Sequence, residues 1–318
     1  MQTGALSLMN SDQPDVWLDY IKPKSSQFEW VQSRIACYLR SSDAPNISAS
    51  ALNLLDLLKN EHCQVEDLER VISMDAGLTT RCLRASSSSF YGGRTIESIH
   101  QALMTIGVAE IRQIAFSIGV VNSISKFRIK VDWKKYWLHS LLVGRLTQII
   151  AAAFRSVTGT EYLAGLLHDV GKLTIEQTFP KEFEMILLRS ASLQCGHAVV
   201  ERELLGLDHA QVGGAMCHVM NLSPDVQYAV LNHHDSFKAF STIRRTHDKG
   251  FLAACVSMAD SLANLCGANL DGAKNTPDWS ELDSWKFLNQ FFEVDFGLYL
   301  DLEHELLYAQ NDLHSLGI

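Results

Sequence analysis

An all-α fold is the architecture this sequence predicts, and three observations predict it. Proline is scarce, with six in 318 residues. Alternating apolar and polar runs of strand length are few. Segment after segment instead spaces apolar side chains three or four positions apart, as Leu52, Leu55 and Leu58 do. That spacing puts them on one face of a helix. The length suits one large domain or two ordinary ones, and 47% apolar residues can fill a substantial core.

Residues 1–27 are polar, contain Pro14 and Pro23, and read as a leader in which Trp17 and Tyr20 are the rings able to pack. A first helix is expected over Phe28–Leu39, then a turn around Pro45. Short helices follow over Ser48–Lys59, Val65–Ser73, Gly77–Ala85, Ile96–Ile106 and Val108–Val120, interrupted by the loop S-S-S-S-F-Y-G-G at 86–93. Together they form an N-terminal helical lobe, residues 28–130, closed by a basic, partly extended connector at Lys126–Asp132. A second unit, residues 131–266, opens with a long helix over Trp133–Phe154 whose apolar stripe includes His139, Val143, Leu146 and Ile150. Helices over Glu161–Val170, Glu182–Leu188 and Ala198–Leu205 come next. Gly171 is expected to end the first of these by taking the left-handed conformation of a helix C-terminus.

Asp208 is an N-cap for a helix that carries His209, Val212, Gly213 and Met216 on one face. Ser223 followed by Pro224 starts another, with Val226, Ala229, Val230 and His233 aligned. A polar loop at 236–249 precedes a helix over Gly250–Leu265 that points Leu252, Val256, Ala259 and Asp260 roughly one way. A loop at 267–280 and amphipathic helices near 281–293 and 301–313 make a C-terminal unit, residues 267–318, packed on the second one.

A net charge of −9 argues against a general nucleic-acid binder. The charge is uneven: residues 81–145 hold ten basic and three acidic side chains, a net +7, which leaves −16 for the remainder. Such a surface could attract a phosphorylated ligand or an acidic partner, or could be merely solvated helix faces. The start of the chain lacks a basic and apolar signal sequence. The most apolar long stretch, Leu138–Phe154, is broken by His139, Arg145 and Gln148, so no membrane helix is expected. Seven scattered cysteines without a C-x-x-C pair read as reduced thiols of a cytoplasmic protein.

The chemistry-bearing residues are histidines and aspartates on these apolar faces. In L-A-G-L-L-H-D-V-G-K-L, residues 163–173, a buried run is interrupted by His168 and Asp169. A buried imidazole or carboxylate is costly unless hydrogen-bonded, paired or bound to a metal. His139, His209, His233, His234 and Asp260 lie at comparable positions on other helices. Any one such histidine is more often a hydrogen-bonded core residue. The set as a whole points to a shared partner, because otherwise each ring needs its own solution. Imidazoles with carboxylates suit zinc, iron, manganese or nickel, and one carboxylate between two imidazole-rich sets could bridge two metals about 4 Å apart.

The order H … HD … H … HH … D, with G-L-L-H-D-V-G-K, G-L-D-H-A-Q-V-G-G and N-H-H-D, resembles the HD superfamily of metal-dependent phosphohydrolases. It is closest to the HDOD family, the HD-related output domains of bacterial signalling proteins. V-I-S-M-D-A-G-L-T-T-R-C-L-R-A-S-S-S-S-F-Y-G-G and T-I-E-S-I-H-Q-A-L-M-T-I-G-V-A-E-I-R extend the resemblance into the N-terminal lobe, so that it covers roughly residues 30 to 265. The resemblance implies an HD-domain-like helical bundle in which Asp169 bridges two metals. His139, with Asp260, would complete one shell, and His209, His233 and His234 the other, while Lys172 would contact a phosphate.

Where the related HD-GYP phosphodiesterases carry a glutamate one turn before the first histidine, this chain has Lys135, which argues against a third metal. The segment D-S-F-K-A-F after His234 lacks G-Y-P, which argues against hydrolysis of cyclic di-GMP. The function implied is a cytoplasmic regulatory module that keeps its metal site and receives its input from a signalling protein in trans. Two alternatives stay open. One is a phosphohydrolase or phosphodiesterase acting on a nucleotide or other phosphoester through a metal-bound hydroxide. The other is an interaction scaffold with hydrogen-bonded histidines and no metal.

Overall fold

The computed structural model describes residues 17–41, 43–44, 53, 57, 64–88, 91–124, 132–234, 249–270, 281–289 and 301–316. All regular structure among them is helical. Most of the expected leader and of the 48–59 helix, the connector at 126–131, the loop at 236–248 and much of that at 267–280 lie outside the described residues.

α1 (Trp17–Tyr20) and α2 (Glu29–Leu39) open the chain, with Trp17 buried. α3 (Val65–Ser73), α4 (Ala76–Ser86), α5 (Ile99–Ile106) and α6 (Val108–Ile124) pack on one another. Their starts are fixed locally: Asp75 accepts from Leu78 N–H and Ser98 from Gln101 N–H, which satisfies donors that a helix's first turn leaves unpaired.

The other helices surround α7 (Trp133–Ala152), which is nearly enclosed over its whole length. α8 (Thr160–Leu167) and α14 (Lys249–Leu265) lie directly against it. α9 (Val170–Thr178) packs on α12 (His209–Val219), which packs on α13 (Pro224–Asn232). α10 (Pro180–Leu193) pairs with α11 (His197–Leu205) on the outside. α1 and α2 rest on α12 and α9. α15 (Asp283–Asn289) lies on α14, and α16 (Leu302–Leu316) spans α7 and α4. The expected caps are present. Asp208 forms a full capping box with Gln211, and Ser223 with Pro224 starts α13. No helix among the described residues is long and apolar enough to cross a membrane, and Cys37, Cys82, Cys195, Cys217, Cys255 and Cys266 are free thiols.

Three expectations need correction. The helix read as Glu161–Val170 stops at Leu167, and a separate helix, α9, begins at Val170. α9 has no polar face to reveal its period, since Lys172, Thr174 and Glu176 are buried along with Val170, Leu173 and Ile175. Gly171 does not end a helix with a left-handed turn. It lies inside α9, where a Cβ would sit 1.9 Å from the carbonyl oxygen of His209. The glycine is needed for backbone contact between α9 and α12.

Arg145, counted within the basic stretch, is not a surface cation. Its Nε–H donates to Glu305 (2.7 Å) and its Nη1 to Glu110 (3.0 Å), with Asp312 3.7 Å away and the Tyr308 ring 4.1 Å from Cζ. One guanidinium on α7 thus joins α6 to α16. Burial, more than the charges of Glu110 and Glu305, pushes Asp312 up to about 7 despite Arg145. A carboxyl raised in the folded state binds a proton more tightly there than in the unfolded chain. Its contribution is therefore full below about pH 4 and is lost as pH rises through about 7. Asp312→Asn removes that loss. The variant is expected to gain roughly 3 kcal/mol over wild type, about 5 °C in Tm, at pH 8 and much less at pH 5. Equal Tm differences at the two pH values would show that Asp312 does not titrate in this range.

Candidate metal centre

His168 and Asp169 occupy the junction where α8 stops and α9 begins. His168 is the C-cap of one helix and Asp169 precedes the first residue of the other. The break turns both side chains inward, and each is 1% exposed. Around them converge His139 from mid-α7, His209 from the first turn of α12, His233 and His234 from the end of α13, and Asp260 from α14. The cluster meets solvent at Asp260, whose side chain is 19% exposed, and at His234.

The orientation of the rings follows from their outer nitrogens. His139 Nδ1 lies 2.7 Å from the Ala268 carbonyl, His168 Nδ1 2.8 Å from that of Gly165, and His233 Nδ1 2.7 Å from that of Val230. A carbonyl can only accept, so each Nδ1 carries the hydrogen, and in a neutral ring each Nε2 presents a lone pair to the pocket. His209 is held differently, its Nδ1–H donating to Glu201 Oε2 at 2.6 Å.

The inward nitrogens crowd one another. His139 Nε2 is 3.2 Å from His168 Nε2, and His209 Nε2 is 2.8 Å from His234 Nε2. His233 Nε2 is buried with no hydrogen-bond partner. Asp169 lies between, with Oδ1 3.0 Å from His209 Nε2 and Oδ2 3.4 Å from His168 Nε2 and 3.8 Å from His139 Nε2. Asp260 Oδ1 is 3.2 Å from His139 Nε2. Three groups have ligand atoms within 4.8 Å of one another: His209 with His233 and His234, His139 with His168 and Asp260, and His168 with Asp169 and His233.

Lone pair facing lone pair is repulsive unless a proton or a cation lies between them. Protons serve only part of this set. Burial works against charge on His209, but Glu201 and Asp169 outweigh it and raise the ring to about 10. Burial and the neighbouring rings push His233 down to about 3 and His234 well below its ordinary value. Burial opposes ionisation of Asp169, yet His168, Lys172 and His209 hold it well below the usual carboxylate range. Neutral His233 and His234 near ionised Asp169 and Asp260, with the His233 Nε2 unpartnered, belong to a donor set that fits a divalent transition metal.

Every residue singled out for the site in the sequence lies in or beside this cluster. Lys172 is beside it: its ammonium is 2.8 Å from Asp169 Oδ2 and the residue is 3% exposed. The sequence reading missed Glu201, which is fully buried on α11. The available signal was a carboxylate on the apolar face shared with His197, Ala198 and Val200, but a single acid four residues after a histidine does not stand out.

A family model described as HDOD domain matches residues 44–236, more than half of the chain, and stops short of Asp260. An uncharacterized protein of Treponema pallidum (strain Nichols) is 22% identical over 223 residues, covering 68% of this chain. The chain spans only 42% of that relative's length. Among solved structures, an HDOD domain protein of unknown function from Geobacter sulfurreducens is similar at a TM-score of 0.69 and 23% identity, over 88% of this chain and 94% of that one. A provisionally assigned signal transduction protein from Marinobacter aquaeolei VT8 gives 0.67 and 20%, over 95% and 69%. A provisionally assigned phosphohydrolase from Shewanella amazonensis SB2B gives 0.62 and 20%, over 90% and 97%. At these identities the likeness establishes the fold.

Proposed function

This chain belongs to the HDOD domain family, and from that premise we propose that it is a bacterial signal-transduction module built around a retained two-metal centre. One observation carries the reading: buried Nε2 atoms face one another, or face nothing, around an ionised Asp169 that offers one oxygen to each side. In it His139, His168 and Asp260 hold one ion, His209, His233 and His234 hold the other, and Asp169 is shared. Iron, manganese, zinc and nickel all suit such ligands.

A second reading, a metal-dependent phosphohydrolase, draws on the same shared carboxylate and on the fold's provisional assignment in Shewanella amazonensis. When bound, a metal pair would lower the pKa of water and hold phosphoryl oxygens. The chain's own part would be to fix the ligands through the backbone carbonyls of Ala268, Gly165 and Val230 and to admit the phosphoester at the Asp260 and His234 side. Lys172 would reach a phosphate only by leaving Asp169. Its present contact supports a first role in holding the Asp169 charge in place. Among the described residues of the basic stretch, Arg84, Arg94, Lys134 and Lys135 are exposed cations and would meet an acidic ligand or a signalling partner arriving in trans.

Elemental analysis of gently purified protein is expected to find one to two transition-metal ions per chain. Protein that stays metal-free when supplied with each candidate metal would leave only a scaffold. With added manganese, a generic phosphodiester should turn over no faster in wild type than in Asp169→Ala if the chain is a module. A rate that disappears in Asp169→Ala would favour the hydrolase.

A further inference from the structure

The two ligand triads differ in charge. The His139, His168 and Asp260 set has a carboxylate of its own, whereas the His209, His233 and His234 set consists of imidazoles alone. A dication on neutral ligands, sharing one aspartate with a second dication, is poorly compensated in a buried site.

Glu201 supplies the missing charge one bond further out. It is fully buried, and one oxygen, Oε2, accepts both the Nδ1–H of His209 (2.6 Å) and the backbone N–H of the same residue (2.7 Å). Its other oxygen, Oε1, is buried without a hydrogen-bond partner, so the His209 ring is where its charge is directed. The position is favourable for a second reason. His209 opens α12, where unpaired N–H groups and the positive end of the helix dipole favour an anion. His139, His168 and His233 donate to neutral carbonyls; of these four rings only His209 is backed by a carboxylate. A carboxylate accepting from the outer N–H of a ligating imidazole fixes its tautomer and raises its basicity, and losing it typically costs 10–100-fold in metal affinity.

We propose that Glu201 is the positioning residue of the imidazole half-site, giving it through His209 the carboxylate that Asp260 gives the other half-site directly. This inference rests on the two-metal reading. It predicts that each half-site can be weakened alone.

The test is to titrate metal-free wild type, Glu201→Gln and Asp260→Asn with Co²⁺, following heat and visible absorption together. Wild type should bind two ions. Glu201→Gln keeps the volume and an acceptor for Nδ1–H but not the charge. It should bind one ion about 10–100-fold more weakly, with a shifted absorption band for that ion, and leave the other within about twofold of wild type. Asp260→Asn should weaken the ion that Glu201→Gln spares. A purely structural role for Glu201 would instead lower the Tm of the metal-free protein and change both ions together. Glu201→Asp, which keeps the charge but retracts it, should fall between wild type and Gln, and carries the comparison should Gln fail to fold.

Two ions bound by Glu201→Gln as tightly as by wild type, or two ions weakened equally, would overturn the proposal and leave the two-metal reading standing. Wild type that binds no Co²⁺ would overturn both.

Discussion

Replacing Asp169 with alanine is expected to strip the protein of its metal and to unsettle the fold around it, two effects that can be separated. Asp169 stands between the two imidazole groups, with Oδ1 toward His209 and Oδ2 toward His168 and His139. On the proposed two-metal reading, neither half-site keeps its shared anion without it, and metal content should fall from one to two ions per chain to nearly none. The second effect comes from Lys172, whose ammonium is buried against Oδ2. Removing the Asp169 carboxylate takes a close partner from a buried ammonium, and breaking such a pair costs about 3–5 kcal/mol. Most of that should be recovered in Asp169→Ala combined with Lys172→Met, where both charges are gone and the volume of the lysine stem is kept. The double variant should therefore fold nearly as well as metal-free wild type and still bind no metal. Urea denaturation of the metal-free proteins measures the first quantity and elemental analysis the second. Two ions retained by Asp169→Ala would contradict the shared-ligand role outright. A double variant no more stable than the single one would mean that the Lys172 charge is compensated elsewhere.

The helices and the clustered side chains were legible in the sequence for a common reason: both depend on local pattern. Asp208 and Ser223 could be read as caps because a capping side chain acts within three residues. His139, His168, His209 and His233 stood out because polar rings on apolar helix faces are expensive. What stayed hidden depends on tertiary contact. α9 is buried on all sides, so the apolar stripe with a polar opposite face that would mark a helix is missing, and its start was absorbed into the preceding one. Arg145 looked like one more cation of a basic segment, because Glu305, which pairs with it, lies 160 residues further on. Glu201 acts only through the orientation of the His209 ring, and no spacing rule encodes that.

Gly171 belongs to the same hidden class, and it leads to the second large effect. In sequence it looked like a helix terminator, yet in the fold it is the point where α9 touches α12 backbone to backbone. A Cβ there would lie 1.9 Å from His209 O, 2.8 Å from His209 C and 2.6 Å from Gly213 N. None of these is the movable end of a side chain, so Gly171→Ala must push the two helices apart. Alanine's better helix propensity is worth about 1 kcal/mol, while overpacking against fixed atoms costs about 3 kcal/mol or more, so the variant should be clearly destabilised. The displaced segment is the one that carries His209, whose Nε2 lies 3.0 Å from Asp169 Oδ1. A shift of even 1 Å would separate the ring from the carboxylate, so metal affinity should fall at least tenfold alongside stability. Gly213→Ala is the informative comparison. Its nearest neighbour is Val230 Cγ1 at 2.9 Å, a side-chain methyl that can move, with Gly171 N at 3.3 Å. It should cost only about 1 kcal/mol and leave metal binding nearly intact. If denaturation and metal titration rank the two variants the other way round, the crossing of α9 and α12 is not what holds His209 against Asp169.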